Sequence, residues 1–136
     1  MSQQLLIDTH IFLWLMFKDN NLKPKDLKII NEFAKNNALL ISAISIWEIA
    51  LLEKRRRIHL YQPITTWMET ALGSPGLSLA PLTPPILCES VALPEAFHKD
   101  PADRMIVATA RTLRAHLLTY DEKILEYARQ GLIDCI

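Results

Sequence analysis

The sequence predicts an α/β fold in which helices cover both faces of a mainly parallel sheet of about five strands. Short apolar segments alternate with helical segments along most of the chain, which is typical of parallel strands joined by helical crossovers. The predicted strands are nearly all apolar, as expected for strands buried on both faces. The chain has 136 residues, half of them hydrophobic, so we expect a single domain over residues 1–136 with its own core.

The predicted strands are short apolar runs bounded by polar residues, glycine or proline. In chain order they are "QLLIDT", "ALLIS", "LSLAPL", "HLLTYD" and "LIDCI". Parallel sheets of this kind bind ligands beyond the carboxyl ends of their strands. Polar residues that follow a strand are therefore candidates for a functional site.

The predicted helices are longer segments, several of them with apolar residues at helical spacing. Leu27, Ile30 and Phe33, for example, share one face of the second helix. In chain order the helices are "HIFLWLMF", "KPKDLKIINEFAKNN", "AISIWEIALLEKRRR", "PITTWMETAL", "PPILCESVALP", "DPADRMIVATA" and "EKILEYARQ". The third helix is apolar at its start and basic at its end.

Two aspartates open the sixth helix. Asp100 fits the N-cap and Pro101 fits the first helical position. Asp103 lies on the face that continues through Val107 and Ala110, which should pack on the sheet. We therefore expect Asp103 at the interior edge and Asp100 outside it as the cap.

Three more acids need an explanation. Asp8 closes the first strand and Asp121 follows the fourth, where a parallel sheet builds its site, although either could simply cap the next helix. Glu48 has Ile44 and Leu51 as helical neighbours, and a carboxylate is rarely buried among apolar residues without a partner. The alternative is a narrow strip that faces solvent.

Four carboxylates in one pocket would repel one another, and some would protonate unless a cation lay among them. An oxygen-only group suits a hard ion such as Mg²⁺ or Mn²⁺. Such an ion polarises a phosphoryl oxygen and lowers the pKa of a bound water. The chemistry that fits is metal-assisted hydrolysis of a phosphodiester, although spacing alone leaves the convergence of the acids open.

Four motifs in this order resemble those of the PIN-domain ribonucleases, in particular the VapC-type toxins of bacterial toxin–antitoxin pairs. They are "LLIDTHIFLWL", "ISAISIWEIALL", "DPADRMIVATA" and "LLTYDEKI". The resemblance implies a three-layer α/β/α sandwich and an endoribonuclease that depends on Mg²⁺ or Mn²⁺. It also implies an RNA substrate, a cognate antitoxin and a homodimer.

The resemblance assigns roles to particular residues. The catalytic acids that it implies are Asp8, Glu48, Asp103 and Asp121, of which Asp8, Asp103 and Glu48 would contact metal. Supporting roles fall to Thr9 and Thr119, whereas Asp100 is not among the usual four acids and is expected as a helix cap first and as a supporting residue of the site second. The serious alternative is a PIN-like domain that binds RNA or a protein without cleaving.

Other rivals fit less well. A haloacid-dehalogenase-like phosphatase would want a second aspartate where His10 stands. A response-regulator receiver would want an acidic pair near the first strand and a phosphoacceptor after the third, and neither is visible.

Cations near the site are candidates for RNA contacts. They are Lys54, Arg55, Arg56 and Arg57 at the end of the third helix, together with Arg104. A solvated helix end or a surface salt bridge is the alternative explanation. His10 and His98 are further candidates for the pocket or the substrate, and the three tryptophans are expected in the core or an interface.

The distribution of apolar residues and the two cysteines favour a cytoplasmic protein without a membrane segment. No apolar run approaches the roughly 20 residues that a membrane span needs. Asp8 and His10 interrupt the apolar start, which therefore does not resemble a signal peptide. Cys88 and Cys135 are far apart and are expected to be reduced thiols.

Overall fold

A computed structural model describes residues 3–94, 97 and 99–136, and it confirms the predicted α/β class. Within these residues the sheet has four parallel strands in the spatial order β3-β2-β1-β4. The strands are β1 (Leu5–Ile7), β2 (Leu39–Ser42), β3 (Leu77–Ala80) and β4 (His116–Leu118).

The helices form where the sequence predicts them. They are α1 (Thr9–Phe17), α2 (Pro24–Lys35), α3 (Ala43–Lys54), α4 (Ile64–Leu72), α5 (Pro84–Ala92), α6 (Pro101–Leu113) and α7 (Glu122–Arg129). Local signals explain where several helices start. Pro24, Pro84 and Pro101 stand in the first turns of their helices, where the backbone N–H that proline lacks would have no partner within the helix.

Two apolar clusters lie on opposite faces of the sheet and make three layers. Leu5 and Ile7 belong to one cluster, which packs against α1, α2 and α4. Leu6, which points the other way because side chains alternate along a strand, belongs to the second cluster with residues of α6 and α7. The α/β/α sandwich is thus confirmed.

The last predicted strand, "LIDCI", is reduced to a single parallel bridge between Leu117 and Cys135. The Leu132 carbonyl accepts from the Arg111 guanidinium instead of joining a ladder. Leu132 and Ile133 pack against the second cluster. The segment is therefore held both by this packing and by two backbone hydrogen bonds of the bridge, in which Leu117 donates to Asp134 at 2.9 Å and accepts from Ile136 at 3.0 Å.

The strand register gathers the carboxyl ends of three strands. Ile7 is paired with Ile41 on one side and with Leu118 on the other. The next residues along these strands are Asp8, Ser42 and Thr119, so they emerge side by side at one edge of the sheet. This edge, where the chain branches from β1 to strands on both sides, is the place where such folds bind ligands.

Two smaller expectations concern cysteines and membranes. Cys88 and Cys135 are free thiols, as predicted. Among the residues that the structure describes, no helix combines the length and the apolar composition that crossing a membrane requires.

Candidate active site

Asp8 is the buried centre of the polar edge. Its side chain is 3% exposed. One carboxylate oxygen accepts from the Thr9 backbone N–H at 2.7 Å, and the other accepts from the Thr119 hydroxyl at 2.6 Å. Burial raises the pKa of Asp8, while these two hydrogen bonds pull the pKa back down. Asp8 is therefore both the N-cap of α1 and a fixed carboxylate at the strand end.

Glu48 is joined to α1 by a chain of hydroxyl groups. The Thr9 hydroxyl donates to Glu48 Oε1 at 2.5 Å and lies 2.7 Å from the Ser45 hydroxyl. Because Thr9 has only one hydroxyl proton and donates it to Glu48, the Ser45 hydroxyl must donate to Thr9. Burial raises the pKa of Glu48, and the negative charges of Asp8 and Asp100 add to that rise.

Ser45 is the residue of this network that the sequence interpretation missed. It is fully buried and lies one helical turn before Glu48. A hydroxyl three residues before an acid, inside an apolar helix, is a weak signal that could have indicated it. Only the packing of α3 against α1 shows which group Ser45 meets.

Asp103 and Asp100 occupy different positions at the start of α6. The exposed Asp100 is the N-cap, and its Oδ1 accepts from the backbone N–H groups of Ala102 at 2.9 Å and Asp103 at 3.2 Å. Asp103 is half-buried, as its helical face predicts. Burial raises the pKa of Asp103 to about 8, helped by the charges of Asp8, Asp100, Asp121 and Glu48. These contributions outweigh the helix dipole, which favours an anion there.

Asp121 stands at the start of α7 and is half-buried. Its Oδ1 caps the helix by accepting from the backbone N–H groups of Lys123 and Ile124 at 2.9 and 3.0 Å. Its own N–H donates to the Thr119 hydroxyl at 3.0 Å. Thr119 thus connects Asp121 to Asp8 through one oxygen atom.

The acids form a region of shared negative potential rather than a closed metal cage. Within the described ranges, no three His, Cys, Asp or Glu side chains are gathered closely enough to hold an ion. Their donor atoms are nonetheless all carboxylate oxygens, and the raised pKa values of Asp8, Glu48 and Asp103 reflect burial together with the negative charges of their neighbours. Such a donor set fits a hard divalent cation.

The predicted cations divide into two groups. Lys54, Arg55, Arg56 and Arg57 are exposed at the end of α3. Two of these arginines line a hollow of about 460 Å³ together with Glu53, Ile58 and His59. Because Lys54 follows Glu48 by six residues, the group begins about 9 Å along the helix axis from this acid.

Arg104 is engaged elsewhere. Its half-buried guanidinium donates to the carbonyl oxygens of Ser90 at 3.0 Å and Leu93 at 2.7 Å. These bonds fix the end of α5 against α6. The RNA contact expected of Arg104 stays a prediction, and in this structure its donors are directed at these backbone acceptors.

The structure also shows where the candidate histidine and tryptophan side chains lie. His10 is exposed, and its charge lowers the pKa of both Asp8 and Glu48. Trp67 is in the core, whereas Trp47 is 57% exposed. The prediction for His98 lies outside the described residues.

Comparisons with known proteins point to one family. The family profile described as PIN domain matches residues 5–130. Ribonuclease VapC22 of Mycobacterium tuberculosis (strain ATCC 25618 / H37Rv) is 32% identical over 121 residues, which is 88% of each chain.

Solved structures share the fold. A chain of VapBC2 from Rickettsia felis, bound to a DNA fragment from the promoter, is similar with a TM-score of 0.71 and 16% identity over 98% of each chain. A chain of DNA-bound VapBC from Salmonella typhimurium is similar with a TM-score of 0.66 and 16% identity, over 99% of this chain and 98% of the other.

Proposed function

The chain belongs to the PIN-domain family, and we propose that it is a metal-dependent endoribonuclease that hydrolyses RNA phosphodiester bonds as the toxin of a toxin–antitoxin pair. The family membership confirms the resemblance drawn from the four sequence motifs. The observation that carries the proposal is the acidic edge, where the buried Asp8 shares one end of the sheet with Glu48 and Asp103 and burial and like charges raise the pKa of all three carboxyls. A structural role does not require like charges to lie together.

The proposed catalytic acids are Asp8, Glu48, Asp103 and Asp121. Asp8, Asp103 and Glu48 would hold Mg²⁺ or Mn²⁺, and Asp121 would add to the negative potential. When bound, such an ion supplies Lewis-acid polarisation of a phosphoryl oxygen.

The hydroxyl groups orient the acids. Thr119 fixes one oxygen of Asp8, and Thr9 fixes one oxygen of Glu48. Asp100 supports Asp103 by capping the helix that carries it. Fixed carboxylates lose less entropy when they take up a ligand.

The exposed cations of α3 supply a surface for the RNA backbone in this proposal. Within the described part of the chain, the structure gives no ion pair to Arg55, Arg56 or Arg57, so their charges are free to meet phosphates. For single-stranded RNA, each lost phosphate contact should reduce the magnitude of the slope of log affinity against log salt by about 0.7.

The double variant Arg56→Ala, Arg57→Ala tests this prediction when its RNA affinity is measured in chelator at several salt concentrations. Lys28→Ala, which changes an exposed cation on α2, is the control.

The proposal also includes partners and a location. A similar chain (TM-score 0.59, 21% identity) is found in a solved structure described as a toxin–antitoxin complex from Klebsiella pneumoniae, which supports a small antitoxin that covers the acidic edge. We further propose a homodimer and a cytoplasmic location, where RNA substrate is present. Light scattering of the purified chain, alone and co-expressed with the neighbouring gene product, measures both assemblies.

Cleavage of total bacterial RNA tests the activity. The purified chain is incubated with Mn²⁺, with Mg²⁺ or with chelator, beside Asp103→Asn and the control Asp134→Asn. Asp134 pairs with His116 at the other end of β4, so its change leaves the acidic edge intact. We expect discrete fragments that need metal, persist in Asp134→Asn and vanish in Asp103→Asn. Cleavage by Asp103→Asn at the parent rate would show that the site is misassigned.

A binding module without activity is the second candidate, because the chain carries a group of exposed cations from Lys54 to Arg57 that could bind RNA without any cleavage. RNA titration in chelator separates binding from chemistry. Tight binding without cleavage, by folded protein freed of any partner, would favour this second candidate.

A further inference from the structure

A row of three aromatic rings lies beside the acidic edge, and we refer to His10, Trp14 and Tyr120 as the aromatic row. The rings of His10 and Trp14, one turn apart on α1, have centroids 6.2 Å apart. The rings of Trp14 and Tyr120 have centroids 5.5 Å apart. The row therefore runs from the start of α1 to the loop between β4 and α7.

Both ends of the aromatic row are attached to acidic-edge residues. His10 directly follows Thr9, which donates to Glu48. Tyr120 stands between Thr119, which donates to Asp8, and Asp121, which caps α7. The row is therefore fixed beside the acids by the same backbone that positions them.

The Tyr120 end of the row is held by hydrogen bonds and has a cation next to it. The Tyr120 hydroxyl donates to the buried carboxylate of Asp26 and accepts from the Lys23 backbone N–H at 3.1 Å. The Lys23 ammonium lies 5.3 Å from the centroid of the Tyr120 ring. The other end is the exposed imidazole of His10. Because this ring is not buried, packing in the core does not explain its place in the row.

We propose that the aromatic row binds an unpaired base next to the scissile phosphate, with His10 as the ring that stacks on it and Lys23, at the Tyr120 end of the row, as a contact for a phosphate further along the strand. Proteins that hold single-stranded nucleic acid combine fixed aromatic rings with cations in this way. Bases inside a duplex have both faces covered by their neighbours, so only an unpaired base can stack on His10. The inference rests on the proposed function, because it assigns a substrate-positioning residue beside the same acidic edge.

Fluorescence anisotropy in chelator tests the inference without any cleavage. The probe is a fluorescein-labelled 12-nucleotide RNA of mixed sequence, used as a single strand and annealed to its complement. The variants are His10→Ala, which removes the ring, and His10→Phe, which keeps a ring without charge. Phe17→Ala is the matched control, because Phe17 is a half-exposed ring at the other end of α1 that contacts Trp67.

The parent and His10→Phe should bind the single strand with dissociation constants within twofold of each other. His10→Ala should bind it about five- to tenfold more weakly, at the lower end of the effect of removing a stacked aromatic ring. The three proteins should bind the duplex alike, and Phe17→Ala should match the parent on both probes.

Two results would overturn the inference. Unchanged single-strand affinity in His10→Ala would remove the stacking role, and equal weakening in His10→Phe and His10→Ala would show that the charge of His10 acts rather than its ring. The parent's cleavage of total RNA is scored separately. Normal cleavage with unchanged His10→Ala binding rejects only the aromatic row, whereas the expected binding without cleavage rejects only the ribonuclease proposal.

Discussion

The carboxyl of Asp103 shows how the surroundings of one side chain change its chemistry. Burial and four neighbouring carboxylates raise its pKa to about 8 from an ordinary value of 3.8. The folded chain therefore holds a proton that the unfolded chain releases near pH 4. Ionisation of this group opposes folding, and the opposition grows as the pH rises from about 4 to about 8.

Replacing Asp103 by Asn should therefore stabilise the protein in chelator. Near pH 4 the free energies of unfolding of the two proteins should differ least, because Asp103 of the unfolded chain still keeps its proton about half of the time. Above pH 8, Asp103→Asn should exceed the parent by about 2 kcal/mol, a figure that discounts the pKa shift for solvent screening of a half-buried group. Urea unfolding from pH 4 to pH 9 measures the difference, with Asp134→Asn as the control. A difference that does not change with pH would contradict this account.

At the scale of the element, the starts of helices could be predicted from local sequence, whereas strand pairing and contacts between helices could not. The start of α6 follows from "DPAD" alone, because an Asp N-cap and a proline in the first turn act within a few residues. The segment "LIDCI" has the apolar pattern of a strand but forms only one bridge, and its Leu132 carbonyl bonds to the distant Arg111, a contact that no local pattern contains. The bond between Thr9 and Glu48 joins two helices 39 residues apart in sequence, so spacing could suggest but not establish it.

The double role of Asp100 can be separated by two substitutions. Asp100→Asn and Asp100→Ala both remove a negative charge that raises the pKa of Asp103, but only Asn keeps an oxygen that caps α6. Asp100→Asn should therefore be about 1 kcal/mol more stable than Asp100→Ala. Urea unfolding at pH 7 measures this difference, and equal stabilities would show that the cap contributes nothing.

At the scale of the whole molecule, the site exists only because distant segments meet. Asp8 and Thr119 are 111 positions apart in sequence, and the strand order brings them together at one edge. The pattern of apolar strands predicted that edge, whereas the partners of each acid required the packed structure. The same dependence on long-range packing appears where α2 meets the sheet, away from the acids.

Gly76 is the residue at that contact, and it should tolerate no side chain. Its φ is +79°, and an added Cβ would lie 1.9 Å from the carbonyl oxygen of Ala34 at the end of α2. Gly131 has the same φ with open space around it. Gly131→Ala should lower the free energy of unfolding by about 1 kcal/mol through backbone strain alone, and Gly76→Ala by about 3 kcal/mol or more. Similar losses in both variants, measured by urea unfolding, would show that α2 moves aside freely.

Divalent cations should stabilise the whole fold through the acidic edge. The formal net charge of the chain is zero, so general screening by salt has little overall repulsion to relieve. An ion that binds only the folded chain at ten times its dissociation constant adds about 1.4 kcal/mol, which corresponds to a rise in Tm of about 3–5 °C for a domain of this size. We expect 10 mM Mg²⁺ to raise the Tm of the parent and of Asp134→Asn relative to KCl of equal ionic strength, and chelator to reverse the rise.

Asp103→Asn should start from a higher Tm in chelator at pH 8 and gain less from Mg²⁺, because it has lost both the repulsion between its carboxylate and the neighbouring acids and a ligand for the cation. An equal rise in Asp103→Asn would place the cation elsewhere on the molecule.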